Sequence, residues 1–283
     1  MKKLLLPLSL LSLVAACGGQ RGDAPRGNLA LIVTDAPFAY ELVHSATILV
    51  DRIAIDAEFA DPNGEPRVIY SGSPKPVELT GLRNGKLLHL LDASLPIGSY
   101  SRLYLHLAGV RLELVNGRAF DSHDGSLVMP VMDEHGLALD LLTPIALETS
   151  DAARLLFDFD LTRSFVPAGN ADPLLASSYT FEPVVHFIRP GATGEIRGIV
   201  TQANGLGGST PVAHATVYVL AAGTEEADFA YATTSTDNDG TFVQLGIPAG
   251  TYDVRVYKSG QEVVAPGSVV LDNSYTIVDL TLP

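Results

Sequence analysis

The densest run of acidic and imidazole side chains lies between Asp121 and His135: Asp121, His123 and Asp124 at one end, Asp133, Glu134 and His135 at the other. Carboxylates and imidazoles are ligands for zinc and for harder divalent cations, provided they converge on one point. The intervening Ser126–Met132 reads as extended, and nine residues at roughly 3.3 Å each put Asp124 and Asp133 about 30 Å apart. The two ends therefore cannot share an ion. What survives as a weak metal candidate is the local trio Asp121, His123 and Asp124, against the plainer reading of a solvated loop, which is preferred. No metal and no other cofactor is expected.

Asp158 and Asp160 form a second carboxylate pattern. A retaining glycosidase needs two carboxyls about 5 Å apart, whereas neighbours on one face of a strand sit nearer 7 Å. With Phe157 and Phe159 interleaved, the two acids are expected to face water while the rings face a core. Ser164 after Arg163 lacks the glycine pattern of a nucleophile elbow. Gly205-Leu206-Gly207-Gly208-Ser209 has neither the lysine nor the following helix of a phosphate loop. Asp237, Asp239 and Gly240 suggest the start of a calcium loop, but the glutamate that an EF-hand spacing requires falls on Gly246, so a hairpin turn between two strands is expected. His44, His89, His106, His186 and His214 are scattered over expected strands and read as surface or satisfied polar groups. No catalytic residue is assigned.

The elements that must position these groups are strands. Leu103, Leu105 and Leu107 alternate with Tyr104 and His106; Leu112 and Leu114 alternate with Arg111 and Glu113; Phe157, Phe159 and Leu161 alternate with the acids between them. Period two belongs to strands with one buried and one wet face. Leu29–Val33, Ala46–Ile55 and Tyr179–Phe187 are rich in β-branched and aromatic residues, and no long helical stripe occurs, so helix is expected at most as short turns near Pro37–Val43 and Leu87–Leu91. The break Arg189-Pro190-Gly191-Ala192-Thr193-Gly194 divides the chain. Beyond it, strands are expected at Glu195–Thr201, Ala215–Ala221, Phe229–Thr236, Thr241–Leu245, Thr251–Tyr257 and Tyr275–Leu282. Leu95-Pro96-Ile97-Gly98-Ser99-Tyr100 and Ile247-Pro248-Ala249-Gly250-Thr251-Tyr252 share one form, in which Pro presets a tight turn and Tyr opens the next strand.

The N-terminus has its own chemistry. Lys2 and Lys3 precede an apolar run from Leu4 to Ala16, too short to span a bilayer and arranged as a secretory signal. Val14-Ala15-Ala16-Cys17 resembles the bacterial lipobox, whose thiol is acylated; Cys17 is the single cysteine, so no disulfide competes for it. The resemblance implies export and anchoring to membrane lipid through Cys17. Gly18 stands where Asp would signal inner-membrane retention, which implies outer-membrane delivery in a Gram-negative host. Gly18–Gly27 reads as a flexible tether; the Arg21-Gly22-Asp23 in it is read as coincidence rather than an integrin-binding triplet. Without Lys2 and Lys3, 16 basic side chains face 32 acidic ones, a net charge of −16. Nucleic acid, which needs clustered Lys and Arg, is not an expected partner.

The fold class expected is all-β: two consecutive antiparallel β-sandwiches after a cleaved lipoprotein signal peptide, divided as 1–16 signal, 17–27 lipidated cysteine and tether, 28–189 first sandwich, 190–283 second. Two resemblances agree. Gly198-Ile199-Val200, Ala215–Val219, Asp237-Asn238-Asp239-Gly240-Thr241-Phe242 and Ile247-Pro248-Ala249-Gly250-Thr251-Tyr252-Asp253-Val254 resemble the carboxypeptidase regulatory-like domain, a transthyretin-like sandwich, over residues 194–283. Val33-Thr34-Asp35-Ala36-Pro37, Val77-Glu78-Leu79, Leu95–Tyr100, Phe157-Asp158-Phe159-Asp160 with Arg163-Ser164, and Phe181-Glu182-Pro183 resemble a bacterial lipoprotein domain family of unknown function, number 4382, over residues 28–189. That family implies no catalytic residues. The favoured function is a lipid-anchored, non-enzymatic envelope module that binds an envelope polymer, a glycan or a protein. The alternative is a metal-dependent or acid/base hydrolase using acidic and His residues of the first domain, and a compact pocket pairing Asp121, His123 or Asp158 with a second carboxylate would favour it.

Overall fold

The computed structural model describes residues 25–36, 42–57, 65–82, 84–149, 152–170, 172–205, 207–224 and 230–283, almost all of them in strands and their turns. Cys17, its signal and the tether up to residue 24 lie outside the described residues.

The first domain contains β1 (Arg26–Ala36), β2 (Val43–Ala57), β3 (Arg67–Glu78), β4 (Leu88–Pro96), β5 (Gly98–Leu114), β6 (Ala119–Asp121), β7 (Leu127–Val128), β8 (Leu137–Leu147), β9 (Ala152–Asp160), β10 (Phe165–Ala168), β11 (Ser178–Phe181) and β12 (Val185–Ile188), with an α-helical turn α1 (Leu161–Ser164) after β9 and 3-10 turns at Thr80–Leu82 and Pro173–Leu175. A sheet of order β12-β9-β1-β4 packs on a second of order β3-β2-β5-β6, in which β8 also pairs β5, and β10-β11-β7 forms a small third sheet. The alternation sets which side chains meet: Leu29, Leu31 and Val33 of β1, Leu103, Leu105 and Leu107 of β5, and Leu155, Phe157 and Phe159 of β9 are each 3% exposed or less and share one core. Burying each such side chain stabilises the fold by about 1.5–3 kcal/mol before entropy. Within that core, a cavity lined by Val33, Ile48, Leu105 and Phe157 measures about 10 Å³, at the lower limit for one water. It does not hold a ligand.

The second domain contains β13 (Gly194–Ala203), β14 (Ser209–Pro211), β15 (Thr216–Ala221), β16 (Ala232–Ser235), β17 (Thr241–Ile247), β18 (Gly250–Lys258), β19 (Gln261–Val270), β20 (Tyr275–Ile277) and β21 (Leu280–Leu282). One sheet is ordered β14-β13-β17, with β20 and β21 on the other side of β13; the other is ordered β16-β15-β18-β19. Ile196, Val200, Val217, Val219, Phe242, Val254 and Val256 fill the space between them.

The all-β, mainly antiparallel architecture is as expected, with parallel pairings at β1–β9, β7–β11, β13–β20 and β13–β21 added to it. The two matching turns are the same device: the Tyr100 hydroxyl donates to the Pro96 carbonyl at 2.7 Å, and the Tyr252 hydroxyl to the Pro248 carbonyl at 3.1 Å. Each phenol spans its own turn and fixes the entry of the next strand.

Other expectations are corrected. Leu87–Leu91 is no helical turn; Leu88 opens β4, because its neighbour across the sheet is Val33. Most of Pro37–Val43 lies outside the described residues. Asp237–Gly240 is a tight turn, closed by Gly240 N–H to Asp237 O at 3.0 Å and Asp237 N–H to Thr241 O at 2.8 Å, but it connects β16 of one sheet to β17 of the other and so is an arch, not a hairpin. The expected strand Tyr275–Leu282 is two short strands, and β19, broken in sequence by Pro266-Gly267, was not expected.

Candidate functional site

The Asp121 loop follows β6. The Asp121 carboxylate accepts from the His123 backbone N–H and pairs with its Nδ1, both at 2.9 Å, while Asp124 accepts from the Ser126 N–H at 2.8 Å and its hydroxyl at 2.5 Å. The His123 N–H holds the Asp121 carboxyl below its ordinary pKa, and the Ser126 hydroxyl does the same for Asp124. Each carboxylate holds the turn through its Oδ1. No group of three or more His, Cys, Asp or Glu is placed to hold a metal among the described residues. His89 pairs with Asp92 at 2.9 Å and His106 with Asp51 at 2.6 Å, each at a separate place on the surface.

Asp158 and Asp160 are where the sequence expectation fails. They do point away from Phe157 and Phe159, but not into water: they are 5% and 8% exposed. The outer face of β1, β9 and β12 carries the cluster Ile32, Leu156 and Ile188, and Leu245 of β17 packs against it. The second domain therefore covers the outer face of the first domain's sheet. Beside this apolar seam, Asp158, Asp160, Arg163, His186 and Tyr231 line a cavity of about 20 Å³.

The cluster is built locally by α1. Asp160 caps that turn, its Oδ1 accepting from Arg163 N–H at 3.0 Å, while its Oδ2 receives Arg163 Nε at 2.6 Å. The Ser164 hydroxyl donates back to the Asp160 carbonyl at 2.5 Å and accepts from Val184 N–H at 2.9 Å, tying β9 to the approach of β12. Arg163 Nη2 lies 3.0 Å from His186 Nε2. Partial burial, and then the Arg163 charge, hold the pKa of this imidazole below the ordinary value; Asp160 opposes them more weakly. The imidazole is therefore neutral at pH 7 and accepts from Arg163. Burial also raises the pKa of the Tyr231 phenol.

A second contact locks the domains. Asn84, at φ 59°, and Gly85, at φ 70°, form the turn before β4. The Asn84 side chain donates Nδ2–H to Thr241 O at 3.2 Å and accepts from Val243 N–H at 3.1 Å. The amide thus occupies the free edge of β17 as a neighbouring strand would. Nothing in the local sequence distinguished Asn84 from any other residue of an Asn-Gly turn; its role depends on where β17 arrives.

The junction has an open side. A cavity of about 230 Å³ is floored by Leu156, Ile188 and Leu245, walled by Pro190, Gly191, Gly194 and Gly246, and rimmed by Thr193, Glu195, Asn273, Ser274 and Tyr275. It pairs no carboxylates and contains no histidine. Acid/base groups occur in the 20 Å³ space and room for a ligand in this one, and the two do not coincide.

The halves of the chain have separate likenesses. Residues 195–283 match the carboxypeptidase regulatory-like domain and residues 26–177 the domain of unknown function DUF4382. No curated protein matches the chain. Similar solved structures include GBS52, the minor pilin of Streptococcus agalactiae (10% identity, TM-score 0.25, 89% of this chain and 94% of that one). They also include the Bacillus anthracis TIE protein (12%, 0.21, 91% and 33%) and BcpA*(D312A), the major pilin subunit of Bacillus cereus (10%, 0.22, 90% and 69%). Scores this low match strands without superposing folds, and carry no functional argument. The DUF4382 match spans more than half of the chain and includes β1 through β10, both main sheets of the first sandwich except β12. The chain therefore belongs to the DUF4382 family, with a carboxypeptidase regulatory-like domain behind it.

Proposed function

We propose that this chain is a non-enzymatic binding module of the cell envelope, exported and held at a membrane by lipid on Cys17, with its two sandwiches docked as one body. The observation that carries the reading is the separation just described. Asp158 and Asp160, the carboxylates most like a hydrolase pair, share a space of about 20 Å³ that Tyr231 and Leu245 also line, enough for a single water. Their polar neighbours hold one another in place rather than facing a substrate. The open cavity offers an apolar floor and a polar rim, the composition of a small-molecule site, with one carboxylate and no histidine in its lining.

Anchoring rests on Lys2, Lys3, the Leu4–Ala16 run and Cys17. No helix among the described residues is long and apolar enough to cross a membrane, and a net charge near −16 after signal removal gives the protein surface no attraction to anionic lipid, so acylation supplies the attachment. In cells fed a labelled fatty acid, the wild-type chain should carry label and sediment with membranes, and Cys17→Ser should lose both. Soluble wild-type protein would refute the anchor. Release of reducing ends from envelope polysaccharide by the purified chain, abolished in Asp158→Asn, would refute the non-enzymatic reading in favour of the hydrolase.

A further inference from the structure

We propose that the groove at the domain junction is a saccharide-binding site for one or two units of a neutral glycan, with Tyr275 as its stacking platform. This rests on the binding-module reading and names the site and ligand class that reading leaves open.

Tyr275 lies opposite Glu195 in the parallel β13–β20 pairing and is 56% exposed on the rim of the cavity. Its ring is held rather than loose. Arg197 stacks over it with the guanidinium 4.9 Å from the ring centre, and Arg197 is itself tied to Glu195 at 2.5 Å. A ring held by Arg197 and still more than half exposed presents an apolar plane with a polar tip, which suits the axial C–H face of a pyranose ringed by hydroxyls. Asn273 and Ser274, both exposed beside it, supply donors and acceptors for those hydroxyls. At Gly191, φ 91°, the wall lacks a side chain and is open, while at Gly246, φ 76°, the missing side chain lets Ile188 pack close. The apolar floor of Leu156, Ile188 and Leu245 continues the seam between the domains, so the platform and the opposite wall are fixed relative to each other.

Competing occupants fit less well. An extended peptide adding to the sheet would need a long free edge, and β20 has three residues against the several that strand addition uses. A purely apolar ligand would leave the Thr193, Glu195 and Asn273 rim unpaired. An anionic polymer would meet Glu195 and an excess of 32 acidic over 16 basic side chains in the processed chain.

The test uses the full processed chain with Cys17→Ser, titrated calorimetrically with maltohexaose, cellohexaose and mannohexaose as neutral probes and a polygalacturonate fragment as the anionic one. At least one neutral oligosaccharide should bind and the anionic one should not. Tyr275→Ala should weaken binding about tenfold or more, a change of about 1.4 kcal/mol; Tyr275→Phe should retain most of it. Tyr257→Ala, which removes an exposed ring on the other sheet, should change nothing. Binding that survives Tyr275→Ala intact overturns the groove assignment and leaves the module reading standing. No binding by any neutral probe at millimolar concentration, together with capture of a protein by a photo-cross-linker at position 277 in cells, overturns the saccharide and keeps the module. Cleavage of a bound oligosaccharide overturns both.

Discussion

Replacing Asn84 by Gly tests whether the two sandwiches form one unit. Asn84 stands at φ 59°, a conformation that Asn tolerates and Gly adopts freely, so Asn84→Gly removes the amide without straining the turn. It deletes two hydrogen bonds, to Thr241 O at 3.2 Å and from Val243 N–H at 3.1 Å. At about 1 kcal/mol net apiece, the loss is about 2 kcal/mol, less whatever water recovers at this half-buried edge. That is up to about a 30-fold shift in the docking equilibrium. If the domains melt together, about 2 kcal/mol lowers the midpoint of a chain this size by about 4–8 °C; if undocking precedes melting, one calorimetric transition becomes two. Asn84→Asp should do at least as much harm, since it keeps the acceptor for Val243 but turns a carboxylate oxygen on the Thr241 carbonyl. A Gly variant whose calorimetric trace overlays the wild type would refute the reasoning and leave the Leu156–Ile188–Leu245 seam as the whole of the docking contact.

Gly246→Ala should pry the same interface apart: at φ 76° a Cβ is strained, and it would stand 2.3 Å from Ile188 Cγ1, so a loss of about 2–4 kcal/mol is expected in urea unfolding, with a larger solution radius if the domains separate. His186 gives the interface a pH dependence. Its folded-state pKa is lowered by burial and by Arg163, so its stabilising contribution is complete above the ordinary imidazole value near 6.5 and is lost as pH falls below it toward the folded-state value. Melts between about pH 7.5 and 5 should show that decline in the wild type and a flatter profile in His186→Gln. Tyr100→Phe and Tyr252→Phe should each cost about 1 kcal/mol, more at Tyr100, which is 1% exposed against 8%; equal stability to wild type at both would deny the corner hydrogen bonds any role.

The fold was legible where one residue pattern implies one environment. Leu103, Leu105 and Leu107 alternate because β5 has a core side, and the two Pro-x-Gly-x-Tyr turns use side chains within their own span. It was illegible where the environment arrives from elsewhere in the chain. Asp158 and Asp160 sit in a faultless in-and-out alternation, yet both are buried, because β17 lands on the face they share with Leu156. The Asp237–Gly240 turn was readable as a turn, but its residues do not say which sheet the next strand will join. Pro266-Gly267 hid β19: the register against β18 slips between Tyr252 and Val254, and Gly267 N–H bonds the Asp253 side chain at 2.9 Å, a local irregularity that breaks alternation without ending the strand.

The same cause decides where function is found. Ile32, Leu156 and Ile188 form an apolar patch on the first sandwich only if the second is removed, and Leu245 is partly buried against that patch. Each half resembles a family by its own strands, but the groove takes Leu156 and Ile188 from one half and Leu245, Gly246 and Tyr275 from the other. Studied separately, either sandwich would expose part of the seam and adopt a sticky surface unrelated to its role, and the groove would vanish from both. A result obtained on an isolated domain therefore bears on its folding, while the proposed saccharide recognition belongs to the docked pair, and it should fall with the docking strength that Asn84 and Gly246 set.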